Sequence, residues 1–142
     1  MSVNHLLLTG ALCAVVLGAN PAQAQTNAQA DAAPDGKTLF AKNCAVCHQA
    51  TGKGIPGAFP ALAGDAFVKG APADVATVLL KGRGGMPDFS GSLDDGEMAA
   101  VLTYVRSSWG NAAPAVAQQE VAATRTALGV GPATHGAFGT KH

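Results

Sequence analysis

The chain has 142 residues, which is enough for one domain with a modest core of its own. Its nine basic and nine acidic side chains cancel, so neither nucleic acid nor an anionic membrane surface is indicated as a partner. Only three cysteines are present and one lies near the N-terminus, so we expect no disulfide framework.

Residues 1–24 have the features of a secretory signal. An apolar stretch over 6–19 is followed by an Ala-x-Ala cleavage site that ends at Ala24, and a second such site at 28–30 leaves the cut open. The stretch is shorter than the ~20 residues that a helix needs to cross a bilayer, so we expect no membrane span after cleavage. The mature protein is therefore predicted to be exported to the periplasm, and Cys13 leaves with the signal.

The segment that follows the signal leads into the domain. Residues 25–33 are rich in Ala, Gln and Asn, and we expect them to be flexible. A helix is predicted over 36–43, because Asp35 is a suitable N-cap and because Leu39 and Phe40 form an apolar face.

The helix ends at a Cys-x-x-Cys-His motif formed by Cys44, Cys47 and His48, which is the signature of c-type haem attachment. Two thiols at this spacing can form thioethers with the two vinyl groups of one haem, and the adjacent histidine then supplies an axial ligand to the iron. A Cys-x-x-Cys pair also occurs in thioredoxin-like sites and as half of a zinc site. A helix rather than a strand precedes the motif and the sequence holds no second cysteine pair, so haem is the favoured interpretation.

The middle of the chain contains a long loop and a short helix. The loop, over 51–64, is rich in Gly and Pro and has no periodicity, and we expect it to wrap the haem. The helix is predicted over 71–80, with Val75, Val78 and Leu79 facing inward.

The last major helix is predicted over 93–109, after a start that resembles a capping box. Its buried face recurs at helical spacing and consists of Met98, Val101, Leu102 and Val105. We place the domain over 34–110 and a short helical extension over 111–128. The remaining residues, 129–142, are rich in Gly, Ala and Thr, and we expect them to be a disordered tail.

The sixth iron ligand decides between electron transfer and chemistry on small molecules. Met98 lies on the apolar stripe of a helix, where methionine is usually core packing. Met86 lies in a loop, where Gly84 and Gly85 allow a close backbone approach and Pro87 adds stiffness. We therefore predict Met86 as the sixth ligand; the alternative is an exposed loop methionine and an open iron.

An axial histidine normally donates its second ring N–H to an acceptor that fixes the orientation of the ring. For His48 the natural candidate is a backbone carbonyl in the loop over 57–62. The residues alone do not say which carbonyl it is.

These features resemble those of class I, mitochondrial-type c-type cytochromes, over about residues 36–109. The pieces that carry the resemblance are Gly36 to Phe40, the motif of Cys44, Cys47 and His48, the segment Pro60 to Leu62, and Gly85 to Pro87 with the helix from Leu93 to Trp109. More narrowly, residues 48–50, 57–60 and 104–111 resemble bacterial periplasmic monohaem cytochromes. That group includes cytochrome subunits of membrane dehydrogenases and cytochrome domains fused to oxidase subunits.

The resemblance implies an all-α fold, in which helices and long loops enclose one covalently bound haem c. It implies that the Pro60 carbonyl accepts the hydrogen bond from His48. It also implies that the first helix crosses the last one, with Gly36 and Phe40 near Tyr104.

We therefore interpret the chain as an exported single-haem cytochrome, not an enzyme, that carries one electron at a time through an iron ligated by His48 and Met86. The expected partners are redox proteins such as a dehydrogenase or a terminal oxidase. The protein is expected to be a monomer or a subunit of a larger complex. Two alternatives stay open: a cytochrome subunit bound tightly to a membrane dehydrogenase or oxidase, and an open-iron haem sensor or peroxidase.

Overall fold

The computed structural model describes residues 35–134, so the predicted signal over 1–24 and the flexible segment over 25–33 lie outside the described residues. The described residues form five helices. These are α1 (Gly36–Asn43), α2 (Ala45–His48), α3 (Pro72–Lys81), α4 (Asp95–Ser107) and α5 (Gln118–Ala127). Extended pairing within this range is limited to isolated bridges between Ile55 and Phe59 and between Arg83 and Met86, which confirms the all-α prediction. None of the helices over 35–134 has both the length and the apolar character needed to cross a bilayer.

Local hydrogen bonds explain where α1 begins. The Asp35 carboxylate accepts from the backbone N–H of Lys37 at 2.8 Å, and from the Thr38 backbone and hydroxyl at 3.3 and 2.7 Å. These bonds, that of the Thr38 hydroxyl above all, lower the pKa of Asp35. The predicted N-cap is confirmed.

The start of α4 is a capping box, two residues later than the sequence pattern suggested. The Asp94 carboxylate accepts from the Glu97 backbone N–H at 2.8 Å, and the Glu97 carboxylate accepts from the Asp94 N–H at 3.0 Å. The pattern over 92–95 predicted the right region but the wrong pair of capping residues, because Leu93 is buried in the core and the helix begins only after it.

Helices α1 and α4 cross at close range, and the crossing is centred on Gly36. A Cβ atom on Gly36 would collide with the Ala100 carbonyl and would lie 2.8 Å from the Tyr104 Cβ. One turn later, the Phe40 and Tyr104 rings pack with their centroids 5.6 Å apart. Hence the crossing predicted by resemblance is present in the structure.

The core joins α1, α3, α4 and α5 in one apolar cluster. The predicted face of α4 is buried throughout. The face of α3 differs from the prediction, because Val75, Ala76 and Leu80 are buried whereas Val78 and Leu79 are only half-buried. Helix α3 packs against both α4 and α5, and periodicity alone could not show that it has two neighbours.

The C-terminal part is more closely integrated than the sequence suggested. Helix α5 forms where a short helix was predicted, and its Val121 is fully buried in the common core. The predicted disordered tail, 129–142, does not begin at residue 129: Val130 packs against the core and the Thr134 N–H donates to the Gly91 carbonyl at 3.0 Å. Composition suggested disorder because these tertiary bonds cannot be inferred from it. The rest of the tail, from residue 135, lies outside the described residues.

We predict that Gly36→Ala lowers the free energy of unfolding by about 1–3 kcal/mol, because the new methyl group must push α1 away from the Ala100 carbonyl. Alanine is the better helix former, so helix propensity cannot explain a loss. Gly131→Ala is the control, since a Cβ there meets nothing within 4 Å. Guanidinium denaturation of the haem-loaded variants tests this, and equal stability for the two variants would contradict the close crossing.

Candidate metal and cofactor site

Cys44, Cys47 and His48 lie in a single helical turn. Cys44 ends α1 and caps α2, and its carbonyl accepts from the backbone N–H of Cys47 at 3.1 Å and of His48 at 2.9 Å. Residues three and four apart share one side of a helical turn. The two thiols and the imidazole are therefore brought together by local structure.

The imidazole of His48 is buried, with 8% of its surface exposed, and its orientation is fixed. Its Nδ1 lies 2.9 Å from the Pro60 carbonyl oxygen, which can only accept, so Nδ1 carries the proton and donates it. Nε2 is then the unprotonated nitrogen and can bind a metal. This is the contact that the resemblance predicts.

The environment of Cys44 disfavours its use as the attacking thiol of a thioredoxin-like site. Burial, together with the nearby Cys47, raises the pKa of Cys44 to about 11. A redox-active dithiol needs a cysteine with a lowered pKa, because the thiolate is the reactive form. Within residues 35–134, no group of three or more His, Cys, Asp or Glu side chains could hold a metal ion by themselves.

The loop after the motif folds back onto His48 through tightly packed glycines. The Gly54 N–H donates to the His48 carbonyl at 3.0 Å, and the N–H groups of Leu62 and Ala63 both donate to the Gly52 carbonyl, at 2.7 and 3.0 Å. Gly54 has a φ of +63°, and a Cβ there would collide with the carbonyls of Phe59 and Pro60. The loop thereby brings Pro60 to the imidazole.

Trp109 supports the same loop from the end of α4. Its Nε1 donates to the Ala50 carbonyl at 3.1 Å, and its ring covers Gly52 so closely that a Cβ there would overlap it. The Trp109 backbone has a φ of +52°, which is unusual for a non-glycine residue, and its ring packs on Phe40 at 5.0 Å. The α1–α4 crossing and the His48 loop therefore share one aromatic contact.

Asn111 is a supporting residue that sequence reasoning did not single out. It is buried, and its Nδ2 donates to the carbonyls of Leu62 and Val105 at 3.0 and 2.9 Å, while its Oδ1 accepts from the Gly64 N–H at 2.9 Å. It ties the end of the Pro60 loop to the end of α4. The available signals were its position just after a helix, where asparagine is common for other reasons, and its place at the end of the segment 104–111 that carries the family resemblance.

The two candidate methionines lie in different environments. Met86 is half-buried in a turn, where its backbone exchanges hydrogen bonds with Arg83 at 3.1 and 3.2 Å. Gly82 makes the turn possible, because a Cβ there would lie 2.6 Å from the Met86 carbonyl oxygen. Met98 is fully buried in the core, as the helical pattern predicted.

Several large apolar side chains near these residues reach the surface. Ile55 and Phe59 are each 39% exposed and pair across the loop that carries Pro60. Phe67 is 38% exposed and lies under the guanidinium of Arg83, 4.4 Å from its ring centroid, beside the Met86 turn. Two thiols, an imidazole with Nε2 available, and exposed apolar side chains on the Pro60 loop and under Arg83 form a set that fits a covalently attached haem.

Residues 31–105 match the sequence profile of the family described as cytochrome C oxidase, cbb3-type, subunit III. The chain is 39% identical over 93 residues to cytochrome c-552 of Thermus thermophilus, which covers 55% of this chain and 70% of that protein. It is 38% identical over 74 residues to cytochrome c6 of Microcystis aeruginosa, covering 50% and 90% of the two chains.

A third relative is much longer than this chain. The cytochrome c subunit of the alcohol dehydrogenase (quinone) of Gluconobacter oxydans is 36% identical over 91 residues, which covers 56% of this chain but only 19% of that subunit. The similarity therefore concerns one domain of the longer protein.

We predict that Asn111→Ala lowers the free energy of unfolding by about 3 kcal/mol, because it removes three hydrogen bonds of a buried side chain, each worth about 1 kcal/mol. Ser107→Ala is the control: its exposed hydroxyl bonds only within α4, to the carbonyls of Thr103 and Tyr104. Chemical denaturation measures both. A loss for Asn111→Ala no larger than that for the control would show that Asn111 does not hold the loop.

Proposed function

The chain belongs to the class I c-type cytochromes, in the family described as cytochrome c oxidase, cbb3-type, subunit III, and carries covalently bound haem c; from this premise we propose that it transfers single electrons between redox proteins through an iron ligated by His48 and Met86. The bound haem supplies an iron that cycles between Fe(III) and Fe(II). Cys44 and Cys47 provide the two thioether bonds that hold it.

The 2.9 Å contact between His48 Nδ1 and the Pro60 carbonyl is the observation that carries this proposal. It fixes the tautomer and the direction of the imidazole, so that Nε2 is presented as a ligand in a constant position. An electron carrier needs ligands that stay in place in both oxidation states, because movement of the ligands slows electron transfer.

We assign the sixth ligand to Met86 because its turn is fixed by two hydrogen bonds to Arg83, while the only other methionine of the described residues, Met98, is fully buried in the core. A thioether raises the reduction potential and closes the iron to other ligands. With both axial positions filled there is no place for a substrate, so we propose a carrier and not an enzyme.

We further propose that the protein works in the periplasm, as the predicted signal over 1–24 suggests. Its redox partners would be a dehydrogenase, a terminal oxidase or both. Permanent attachment to a dehydrogenase is the second candidate, since one relative is named as a cytochrome c subunit of an alcohol dehydrogenase. Purification from the native membrane distinguishes the two candidate functions. A free carrier is released by salt, whereas a subunit co-purifies with a larger protein.

An absorption spectrum of the haem-loaded protein, oxidised and reduced, with and without carbon monoxide, tests the proposal. We expect sharp low-spin bands on reduction, the weak Met–Fe(III) charge-transfer band on oxidation, and no response to carbon monoxide. A high-spin spectrum that shifts with carbon monoxide would overturn the carrier and favour the open-iron sensor or peroxidase.

We predict that Met86→Ala abolishes the charge-transfer band, lowers the reduction potential and makes the reduced protein bind carbon monoxide. Met98→Ala is the matched control: it should keep the band and lower only the stability, by about 2–5 kcal/mol for a buried methionine. Spectra and redox titrations of the two variants measure these effects. The assignment is wrong if the band survives in Met86→Ala and is lost in Met98→Ala.

We also predict that replacing both Cys44 and Cys47 by alanine leaves any haem removable by acid–acetone extraction, because no thioether can form. The unmodified protein should keep its haem under the same treatment. Covalently retained haem in the double variant would contradict the attachment site.

A further inference from the structure

We propose that Arg125 is a positioning residue that holds the methionine loop, defined as residues 82–94 between α3 and α4, and thereby keeps Met86 on the iron. This inference depends on the proposed ligation by Met86. Arg125 lies on α5, beyond the residues that match the family profile, so its role is not part of that similarity.

Arg125 is 6% exposed, and its guanidinium donates to four oxygen acceptors. Two of its bonds reach the methionine loop directly: Nη1 donates to the Ser90 carbonyl at 2.9 Å, and Nη2 to the Leu93 carbonyl at 3.1 Å. Nε donates to the Asp95 carboxylate at 2.6 Å, and Nη1 also donates to the Gly131 carbonyl at 2.7 Å. One side chain thus joins the loop, the start of α4 and the segment after α5.

The charge of Arg125 is compensated in place. Asp95 forms an ion pair with it, and the remaining N–H of Nη2 makes a long contact of 4.0 Å with the Met98 sulfur, so all five N–H donors have an acceptor. Only a planar fork can satisfy acceptors in these positions simultaneously, and a lysine ammonium cannot. The arrangement is therefore specific for arginine.

Besides its bonds to Arg125, the methionine loop is anchored near both ends, by the contact of Arg83 with the Phe67 ring and by the burial of Leu93 in the core. The Phe89 N–H donates to the Leu79 carbonyl at 2.8 Å, which fastens the loop to the end of α3. Thr134 adds a bond from the C-terminal segment, because its N–H donates to the Gly91 carbonyl at 3.0 Å. The loop is thus held between α3 on one side and the C-terminal segment on the other.

A ligand on a loop leaves the iron whenever the loop opens, so the strength of these ties sets the fraction of open molecules. An external ligand such as imidazole binds Fe(III) only in that open fraction, and its apparent Kd falls as the fraction rises. Loss of charge-assisted hydrogen bonds to the loop should raise the open fraction about tenfold.

The test is imidazole titration of the oxidised, haem-loaded protein, followed by loss of the Met–Fe(III) band. We expect Arg125→Lys to lower the apparent Kd for imidazole about tenfold. Arg106→Lys is the matched control, because Arg106 is also a buried arginine that donates to backbone carbonyls, those of Val68, Gly70 and Pro114, and has no hydrogen bond to the methionine loop. It should change the Kd less than twofold at a comparable loss of stability.

A double variant separates positioning from general destabilisation. In the Met86→Ala background that band is absent, so imidazole binding is followed there by the shift of the main haem absorption band. Adding Arg125→Lys to Met86→Ala should leave the Kd for imidazole unchanged, since no methionine remains to be held. If Arg125→Lys does not fold, Asp95→Asn replaces it, because it keeps an acceptor oxygen but removes the compensating charge, and we expect a smaller decrease in Kd.

The outcomes distinguish the two proposals. An unchanged Kd in Arg125→Lys, an equal change in the Arg106 control, or an effect that persists without Met86 would overturn the role of Arg125. An unmodified oxidised protein that lacks the charge-transfer band would instead overturn the ligation by Met86.

Discussion

The hydrogen bond between His48 Nδ1 and the Pro60 carbonyl links the motif to the rest of the fold. Local structure alone brings two thiols and an imidazole into one helical turn, but it does not orient the ring. Orientation requires the loop after the motif to return to His48. That return depends on the glycine at 54, on the Trp109 ring over Gly52 and on the amide of Asn111. The imidazole that we propose as an axial ligand is thus held by contacts that extend to the end of α4.

Hydrogen bonds from buried polar side chains hold the long loops of this small protein in place. Arg106, Asn111 and Arg125 are all buried, and each donates to at least one backbone carbonyl in a loop. No buried side-chain nitrogen or oxygen over 35–134 lacks a partner. The helices are short and the loops long, so apolar packing between helices cannot fix the loops, and satisfied polar groups fix them instead.

The two proposed iron ligands are therefore held by different parts of the chain. His48 is held by the part of the chain that matches the family profile, together with Trp109 and Asn111 just beyond it. The methionine loop, which carries Met86, is hydrogen-bonded to α3 and to the C-terminal segment. The segment after α4 is therefore part of the structural support of the proposed electron-transfer site, although composition made its end look like a disordered tail.

The sequence by itself determined the features that depend on residues close together along the chain. Residue type and spacing along the chain predict the haem motif, the Asp35 cap, the apolar face of α4, and Met86 rather than Met98 as the loop methionine. The Pro60 contact was predicted by family resemblance. Tertiary structure alone decided the rest: the face of α3, the order of residues 129–134, and the partners of Asn111 and Arg125. Arg125 bonds to carbonyls more than thirty residues away, and every residue type offers the same carbonyl, so no sequence pattern can mark such a contact.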